Sequence, residues 1–326
     1  MSAAARLTEL VLRAGARRVA FLGLAKNTGK TTDLVAVLAE LHRAGILAGA
    51  TSAGRDGEDR DAVTGAPKPR FRVWRGQLVA SAALTFDGAS FASEEIAALP
   101  LTTRFGAIEV RRAAQDGEIE VIGPATASQM GQACDALESA GARVVLLDGA
   151  FGRRAFASAR VADAIVLSAG LAAGREQKSA VTAARLAVEL IRLEAPPPDR
   201  PARSFAGALT DEALLAISPQ SGEALVAEDF ASIFLTPASR EDLKGRDVRL
   251  SVARPARLLA VISNPTAPGR PSGDPRLFFE ALADALPGTP VFDLVANLYN
   301  PSPDAGKAGP SSGNDLRLPA PRPRSG

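Results

Sequence analysis

A short apolar run, a glycine-containing turn and an amphipathic helix follow one another near the start of the chain. Residues 18–23 (RVAFLG) form a continuous apolar run ending in glycine, which is typical of a buried parallel strand. After the amphipathic helix of residues 31–42, Gly45 ends the helical pattern, and residues 46–52 predict a second strand. Within residues 31–42 the apolar side chains recur at helical spacing, at Leu34, Val35, Leu38 and Leu41. This order of elements predicts an α/β fold, a mostly parallel sheet flanked by helices.

The turn between this strand and helix, GLAKNTGKTT at 23–32, has the residues of a phosphate-binding loop. The first N–H groups of a helix lack an intrahelical partner, and the helix dipole favours negative charge there. Gly29 lets the chain approach phosphates closely, Lys30 can neutralise their oxygens, and the Thr31 hydroxyl can coordinate Mg²⁺. The sequence therefore predicts a site for ATP or GTP with Mg²⁺, built from Lys26, Asn27, Thr28, Gly29, Lys30, Thr31 and Thr32.

Candidate catalytic carboxylates lie after two of the predicted strands. Asp148 follows the apolar run 143–147, in the Walker B position, where a carboxylate holds Mg²⁺ or one of its waters. An ordinary loop aspartate is the simpler alternative. Asp56, after the second strand, is the candidate for a second Mg²⁺ contact or a water-positioning group, and a solvated acidic loop is its alternative.

Two further residues complete the predicted catalytic set. Arg153 is the candidate for stabilising developing charge in phosphoryl transfer, and a pair with a surface acid is its alternative. Lys30 joins it because the lysine of such a loop contacts the transferred phosphate. The predicted catalytic residues are thus Lys30, Asp148, Asp56 and Arg153, and the predicted metal ligands are Thr31, Asp148 and Asp56.

Proline and composition divide the rest of the chain. Further strands are predicted at 71–74, 118–122, 164–168, 258–262 and 290–294, and further helices at 128–139, 177–193 and 275–285. The consecutive prolines at 196–198 cannot continue a helix, so we place a domain boundary there. The prediction has four parts: a nucleotide-binding domain (1–194), a proline-rich linker (195–204), a smaller α/β domain (205–300) and a disordered tail (301–326).

Composition and charge argue against several classes of protein. The 326 residues are 46% hydrophobic and 23% charged, near the average of globular chains. Cys134 is the single cysteine, which excludes an internal disulfide. No apolar run is long enough to cross a membrane, so we expect a cytoplasmic protein without membrane contact. The net charge of +2 equals that of the tail, so the neutral body argues against nucleic-acid binding (Lys307, Arg317, Arg322 and Arg324 against Asp304 and Asp315).

The spacing Gly23-x₅-Gly29-Lys30-Thr31 resembles the loop of the dethiobiotin synthetase and cobyrinic acid amidase group. That group is a branch of the P-loop superfamily that also contains ParA/MinD-like ATPases, and the resemblance covers about the first 190 residues. The segment after Asp148 is similar to the acidic-Gly-Ala-Gly-Gly segment of the synthetases, with Phe151 as a departure. Lys26 resembles the extra lysine of the ParA/MinD branch, which reaches a nucleotide across a homodimer, although its offset differs by one.

Several stretches together are similar to one narrower family, the P-loop subunit of the reactivase of adenosylcobalamin-dependent lysine 5,6-aminomutase. They are GLAKNTGKTT (23–32), TSAGRDGEDRD (51–61), KP (68–69), DGAFGRRA (148–155) and SNPTAPG (263–269). The resemblance implies ATP-driven release of damaged cobalamin from an aminomutase, together with a MutS-like ATPase partner. It also implies a nucleotide switch, in which the loop 54–69 moves with the state of the γ-phosphate.

Two rival functions remain open at this point. A ligase of the dethiobiotin synthetase type would use ATP to activate a carboxylate, and Lys68-Pro69 is similar to a lysine-proline pair of those enzymes. A ParA/MinD-like positioning ATPase would need a DNA- or membrane-binding element, and the tail is only weakly basic. The chain has no Asn-Lys-x-Asp element of the kind that reads guanine, which favours ATP over GTP.

Overall fold

The computed structural model describes residues 1–53, 70–174, 176–267 and 269–300, and within these ranges it leaves out the side chains of 150–153. The predicted loop 54–69 and tail 301–326 therefore lie outside the described residues. The strands, numbered in chain order, are β1 (Arg18–Gly23), β2 (Ala48–Ser52), β3 (Phe71–Val73), β4 (Leu78–Ala82), β5 (Ser93–Thr103), β6 (Gly106–Ala113), β7 (Gly117–Ile119), β8 (Val144–Ala150), β9 (Ala164–Gly170), β10 (Ala202–Ser204), β11 (Leu209–Thr210), β12 (Ala224–Ala227), β13 (Ile233–Phe234), β14 (Arg249–Val252), β15 (Leu258–Asn264), β16 (Val291–Asp293) and β17 (Leu298–Tyr299). The helices are α1 (Ala3–Arg13), α2 (Lys30–Arg43), α3 (Ala83–Asp87), α4 (Ala127–Ser139), α5 (Gln177–Ile191), α6 (Asp211–Ile217), α7 (Pro237–Gly245) and α8 (Pro275–Ala285).

A ten-stranded sheet in the order β17-β16-β15-β9-β1-β8-β2-β4-β6-β5 forms the centre of the molecule. From β16 to β4 every neighbouring pair runs parallel, and only β17, β6 and β5 at the two edges pair antiparallel. Central strands such as β9 are buried along their whole length, as expected for a parallel sheet covered on both faces. The predicted α/β class, with a large mostly parallel sheet flanked by helices, is confirmed.

The sheet divides the core into two layers, and helices cover both of its faces. On one face, α1 and α2 bury Leu7, Leu34 and Leu38 against strand residues such as Phe21 and Val166. The helices α4, α5 and α8 bury their apolar sides on the other face. Because alternate residues of a strand point to opposite faces, each central strand contributes to both layers.

A smaller α/β unit lies between residues 202 and 252. Strands β10, β12 and β14 form a parallel three-stranded sheet, and β11 pairs with β13 in a separate two-stranded ladder. Its core contains Leu209, Leu225, Ile233 and Leu243, and Leu190 of α5 packs against the same cluster.

The sheet topology differs from the predicted domain organisation. The chain was expected to form one separate unit over 205–300, yet β15 pairs with β9 in parallel from Leu258 onwards. Residues 258–299 therefore belong to the large sheet, and the small unit is an insertion between α5 and β15. The prolines at 196–198 mark the beginning of this insertion, but proline cannot reveal that a later buried strand returns to an earlier sheet.

Individual elements agree with the sequence to different degrees. Predicted strand 18–23 and helix 275–285 agree with β1 and α8, while β4 and the hairpin of β5 and β6 were not predicted. The hairpin strand β5 is mostly half-exposed or exposed, so its apolar pattern is weak. No helix within the described residues is long and apolar enough to cross a membrane.

Candidate functional site

The carboxyl ends of the central strands meet at the N-terminus of α2. In the sheet register, Gly23 at the end of β1 lies beside Ala150 of β8 and Ser168 of β9. Ser52 at the end of β2 lies beside Asp148. The crevice outside the carboxyl ends of parallel strands is where α/β sheets bind ligands. The fold therefore places the predicted phosphate loop, residues 23–32, and Asp148 at one edge.

Helix α2 begins without a side-chain cap. Gly29 stands at its N-cap position, and the first intrahelical bond is donated by Asp33 N to Gly29 O at 3.0 Å. Helices α1, α4 and α8, in contrast, begin with a capping oxygen from Ser2, Thr126 and Asp274. Uncapped N–H groups together with the helix dipole form a site for an anion.

Packing around the predicted phosphate loop requires glycine at two positions. Gly29 has φ +82°, and a Cβ atom there would lie 2.1 Å from Nδ2 of Asn264, at the end of β15. At Gly23 a Cβ atom would lie 2.5 Å from Oγ1 of Thr28. The Thr28 hydroxyl donates to Ala25 O at 3.1 Å, which closes the loop locally. A side chain at either position would clash with these atoms, so steric packing favours glycine at both positions whether or not a ligand binds.

Lys30, Thr31 and Asp148 form a compact polar cluster at the start of α2. Lys30 Nζ lies 2.8 Å from Asp148 Oδ1, and Thr31 Oγ1 donates to Asp148 Oδ2 at 3.1 Å. The Asp148 side chain is 1% exposed, whereas that of Lys30 is 21% exposed and reaches the surface. One buried carboxylate is thus held between an ammonium group and a hydroxyl group.

The donor set of this cluster fits a hard divalent cation. Mg²⁺ prefers oxygen ligands and binds in proteins through one or two carboxylates, with waters and phosphates completing its shell. Asp148 and Thr31 supply a carboxylate and a hydroxyl oxygen that already lie within hydrogen-bond distance of each other. Lys30 supplies a cation that balances the buried carboxylate and that can also contact a bound anion.

Asp33 is a buried acid of this region that was not predicted. It lies in the first turn of α2 and accepts a hydrogen bond from Ser168 Oγ at 2.6 Å. Burial raises the pKa of Asp33 to about 8, against a lowering by the Ser168 hydroxyl and by Lys30, while Asp293 raises it further. An acid in the first turn of a predicted helix is visible in the sequence, but its burial against β9 is not.

Asn264 is the second site residue that was not predicted individually. Its amide lies against Gly29, and its Oδ1 accepts from Thr266 Oγ1 at 2.7 Å and Thr266 N at 3.2 Å. These two bonds fix the side chain, so the loop is supported by β15, a strand distant in sequence. The SNPTAPG stretch (263–269) contains Asn264, but it does not indicate that Asn264 lies against Gly29.

The other predicted site residues are either exposed or outside the described part of the chain. Lys26, Asn27 and Thr32 are exposed on the predicted phosphate loop, and within the described residues none of their side chains forms a hydrogen bond or ion pair with Asp148. Asp56 lies outside the described residues, as does the side chain of Arg153. Among the described residues no group of three or more His, Cys, Asp or Glu side chains could form a metal site of its own.

A groove of about 320 Å³ lies elsewhere, between the end of α5 and the small unit. It is lined by Glu189, Leu193, Arg240, Leu243, Lys244, Val248, Arg249 and Leu250, and no predicted site residue belongs to it. Its cations already face carboxylates, since Arg240 pairs with Glu189 at 2.5 Å and Arg249 pairs with Glu194 at 3.2 Å. The carboxyl edge of the large sheet, with its uncapped helix and buried acid, is therefore the stronger candidate site.

Comparisons of the chain with family models, with curated proteins and with solved structures found no match.

Proposed function

We propose that the protein is a Mg²⁺-dependent P-loop ATPase that acts as a nucleotide switch on a partner protein. The observation that carries the proposal is the Lys30–Asp148–Thr31 cluster at the uncapped N-terminus of α2. A strand, a glycine turn, a lysine and a threonine, followed by a strand-end carboxylate, are the parts of a phosphate and Mg²⁺ site.

Each part has a distinct role in this proposal. The N–H groups at the start of α2 and the ammonium group of Lys30 bind phosphate oxygens. Asp148 and Thr31 hold Mg²⁺, which would neutralise charge on the phosphates. Transfer of Lys30 from Asp148 to a phosphate would leave the carboxylate available to the metal. Burial of Asp148 strengthens its electrostatic interactions, because the local dielectric constant is low.

The choice of ATP and of a protein partner rests on the sequence. Absence of an Asn-Lys-x-Asp element favours ATP over GTP, and the five stretches similar to the aminomutase reactivase favour reactivation of a cobalamin enzyme. We propose that the partners are a MutS-like ATPase and an adenosylcobalamin-dependent lysine 5,6-aminomutase, and that the protein works in the cytoplasm. A γ-phosphate with Mg²⁺ orders loops that relax after hydrolysis, which is the physical basis of such a switch.

Phosphate release tests the switch against a ligase. We expect slow ATP hydrolysis by the purified protein alone and a rise of roughly 10³- to 10⁵-fold when a partner supplies a missing group in trans. The assay compares the protein alone, with an aminomutase and a MutS-like ATPase, and with a panel of diamines and carboxylic acids. Strong stimulation by a small acid, with formation of its amide or a cyclic urea, would replace the switch by a ligase of the dethiobiotin synthetase type.

A further inference from the structure

Arg154 connects the strand that carries Asp148 to the small unit. It lies in the 3₁₀ turn Phe151–Ala157, which continues directly from β8. Its side chain is buried, and its Nε donates to Ala231 O at 3.3 Å while its Nη2 donates to Ile233 O. The guanidinium carbon also lies 4.3 Å from the centre of the Phe234 ring. One side chain thus contacts a short segment of the small unit at three points.

The segment that Arg154 contacts, residues 229–234, is itself well ordered by hydrogen bonds. Asp229 Oδ1 accepts from Ala231 N at 2.9 Å, and Ser232 Oγ donates to Asp229 O at 2.7 Å. Phe230 is buried in the same core layer as Phe156 of the turn. β13 at the end of the segment pairs with β11, from which α6 begins. A displacement of residues 229–234 would therefore be transmitted to the rest of the small unit.

A buried arginine is a costly way to join two elements. Removal from water lowers the pKa of Arg154 to about 10, although the carboxylate of Asp229 opposes this. Replacing buried charge with well-packed apolar side chains often stabilises a protein, so a buried cation is weak evidence for stability and better evidence for a specified arrangement. The planar fork of arginine suits that role, because it directs several donors in fixed directions.

We propose that Arg154 is a positioning residue that couples the nucleotide site to the small unit, so that residues 229–234 respond to Mg²⁺-nucleotide at Asp148. The inference rests on the proposed function. Asp148 and Arg154 lie on one continuous strand and turn, so an adjustment of that turn would move the donors that Arg154 directs at Ala231 O and Ile233 O. Phe234 is half-exposed, so the response extends to the protein surface, where a partner can contact it.

Amide hydrogen exchange of the full chain tests the coupling. The probe is Mg²⁺ with a slowly hydrolysed ATP analogue, and its binding is measured separately by equilibrium titration. We expect exchange in residues 229–234 to slow by about 5-fold or more on binding. If the analogue binds and this segment does not change, the coupling is overturned and the proposed function stands; if nothing binds, both are overturned.

Two variants isolate the contribution of Arg154. Arg154→Met keeps the aliphatic part of the side chain and removes its donors, so the analogue should bind within about 3-fold of the wild-type affinity while the slowing at 229–234 disappears. Arg160→Met is the matched control, because Arg160 joins the same two parts through an exposed pair with Glu228 at 2.7 Å and should keep the slowing. Persistence of the slowing in Arg154→Met would overturn the proposal. Should that variant not fold, Arg154→Lys replaces it, and an unchanged response in this variant would contradict the role of the arginine fork.

Discussion

At the scale of single residues, the candidate site depends on two buried carboxyl groups and on the side chains that pair with them. Asp148 forms an ion pair with Lys30 and accepts a hydrogen bond from the Thr31 hydroxyl. Asp33 accepts a hydrogen bond from Ser168. Lys30, Thr31 and Asp148 were predicted from residue type and position, because a motif specifies both. Asp33 was not predicted, because its raised pKa depends on burial in the folded protein, which residue type and position do not show.

The protonation of Asp33 predicts a pH dependence of stability. Its folded pKa of about 8 is above the unfolded value of about 4, so between these pH values the folded state holds a proton that the unfolded state has released. This contribution to stability is complete below pH 4 and is lost as the pH rises through 8. Wild-type stability relative to Asp33→Asn should therefore fall with increasing pH, by up to about 1.4 kcal/mol per pH unit.

Urea unfolding of the two proteins at pH 5, 6, 7 and 8 measures this difference directly. Asparagine has nearly the shape of aspartate and does not titrate, so other ionisable groups cancel in the comparison. A difference in the free energy of unfolding that stays constant from pH 5 to pH 8 would show that Asp33 is ionised in the folded protein.

At the scale of elements, the loop between β1 and α2 is shaped by its neighbours as much as by its own sequence. The glycine pattern predicted a turn that approaches phosphates, and the loop does use Gly29 at φ +82°. The sequence could not show that the Asn264 side chain of β15 lies against this glycine, because the two residues are distant in the chain. The helix pattern at 31–42 was recognisable since its apolar side faces one layer of the core.

Gly29→Ala should disturb the loop more than an ordinary glycine substitution does. An alanine at positive φ costs about 1–2 kcal/mol, and here its Cβ would also lie 2.1 Å from the fixed amide of Asn264. Gly45→Ala is the matched control, because Gly45 has φ +67° and no atom within 4 Å of its Cβ position. We expect only Gly29→Ala to lose nucleotide affinity as well as stability.

Titration and thermal unfolding of the two glycine variants measure both effects. Gly29→Ala combined with Asn264→Ala should recover part of the lost stability, since the second change removes the clash and leaves the backbone strain. Equal losses of stability in Gly29→Ala and Gly45→Ala would mean that Asn264 does not constrain the loop.

At the scale of the whole molecule, continuous apolar runs predicted the centre of the sheet correctly. Runs such as 18–23 and 164–168 are buried on both faces, so they are visible without knowledge of their partners. The edge hairpin of β5 and β6 and the insertion of residues 202–252 were missed, because half-exposed strands and the return of β15 to the large sheet leave no local pattern. The contact of Arg154 with the small unit was also missed, because it joins residues that are distant in the chain.

In the proposed function, the N-terminus of α2 binds nucleotide phosphates with the help of Lys30. Equilibrium titration of wild type, Lys30→Ala and the control Lys244→Ala with Mg²⁺-ATP tests it most directly, after thermal unfolding has shown that each protein is folded. Loss of a hydrogen bond to a charged group costs up to about 3 kcal/mol, so Lys30→Ala should bind roughly 100-fold more weakly, and Lys244→Ala should bind as wild type does. Equal affinity of folded wild type and folded Lys30→Ala would contradict the account.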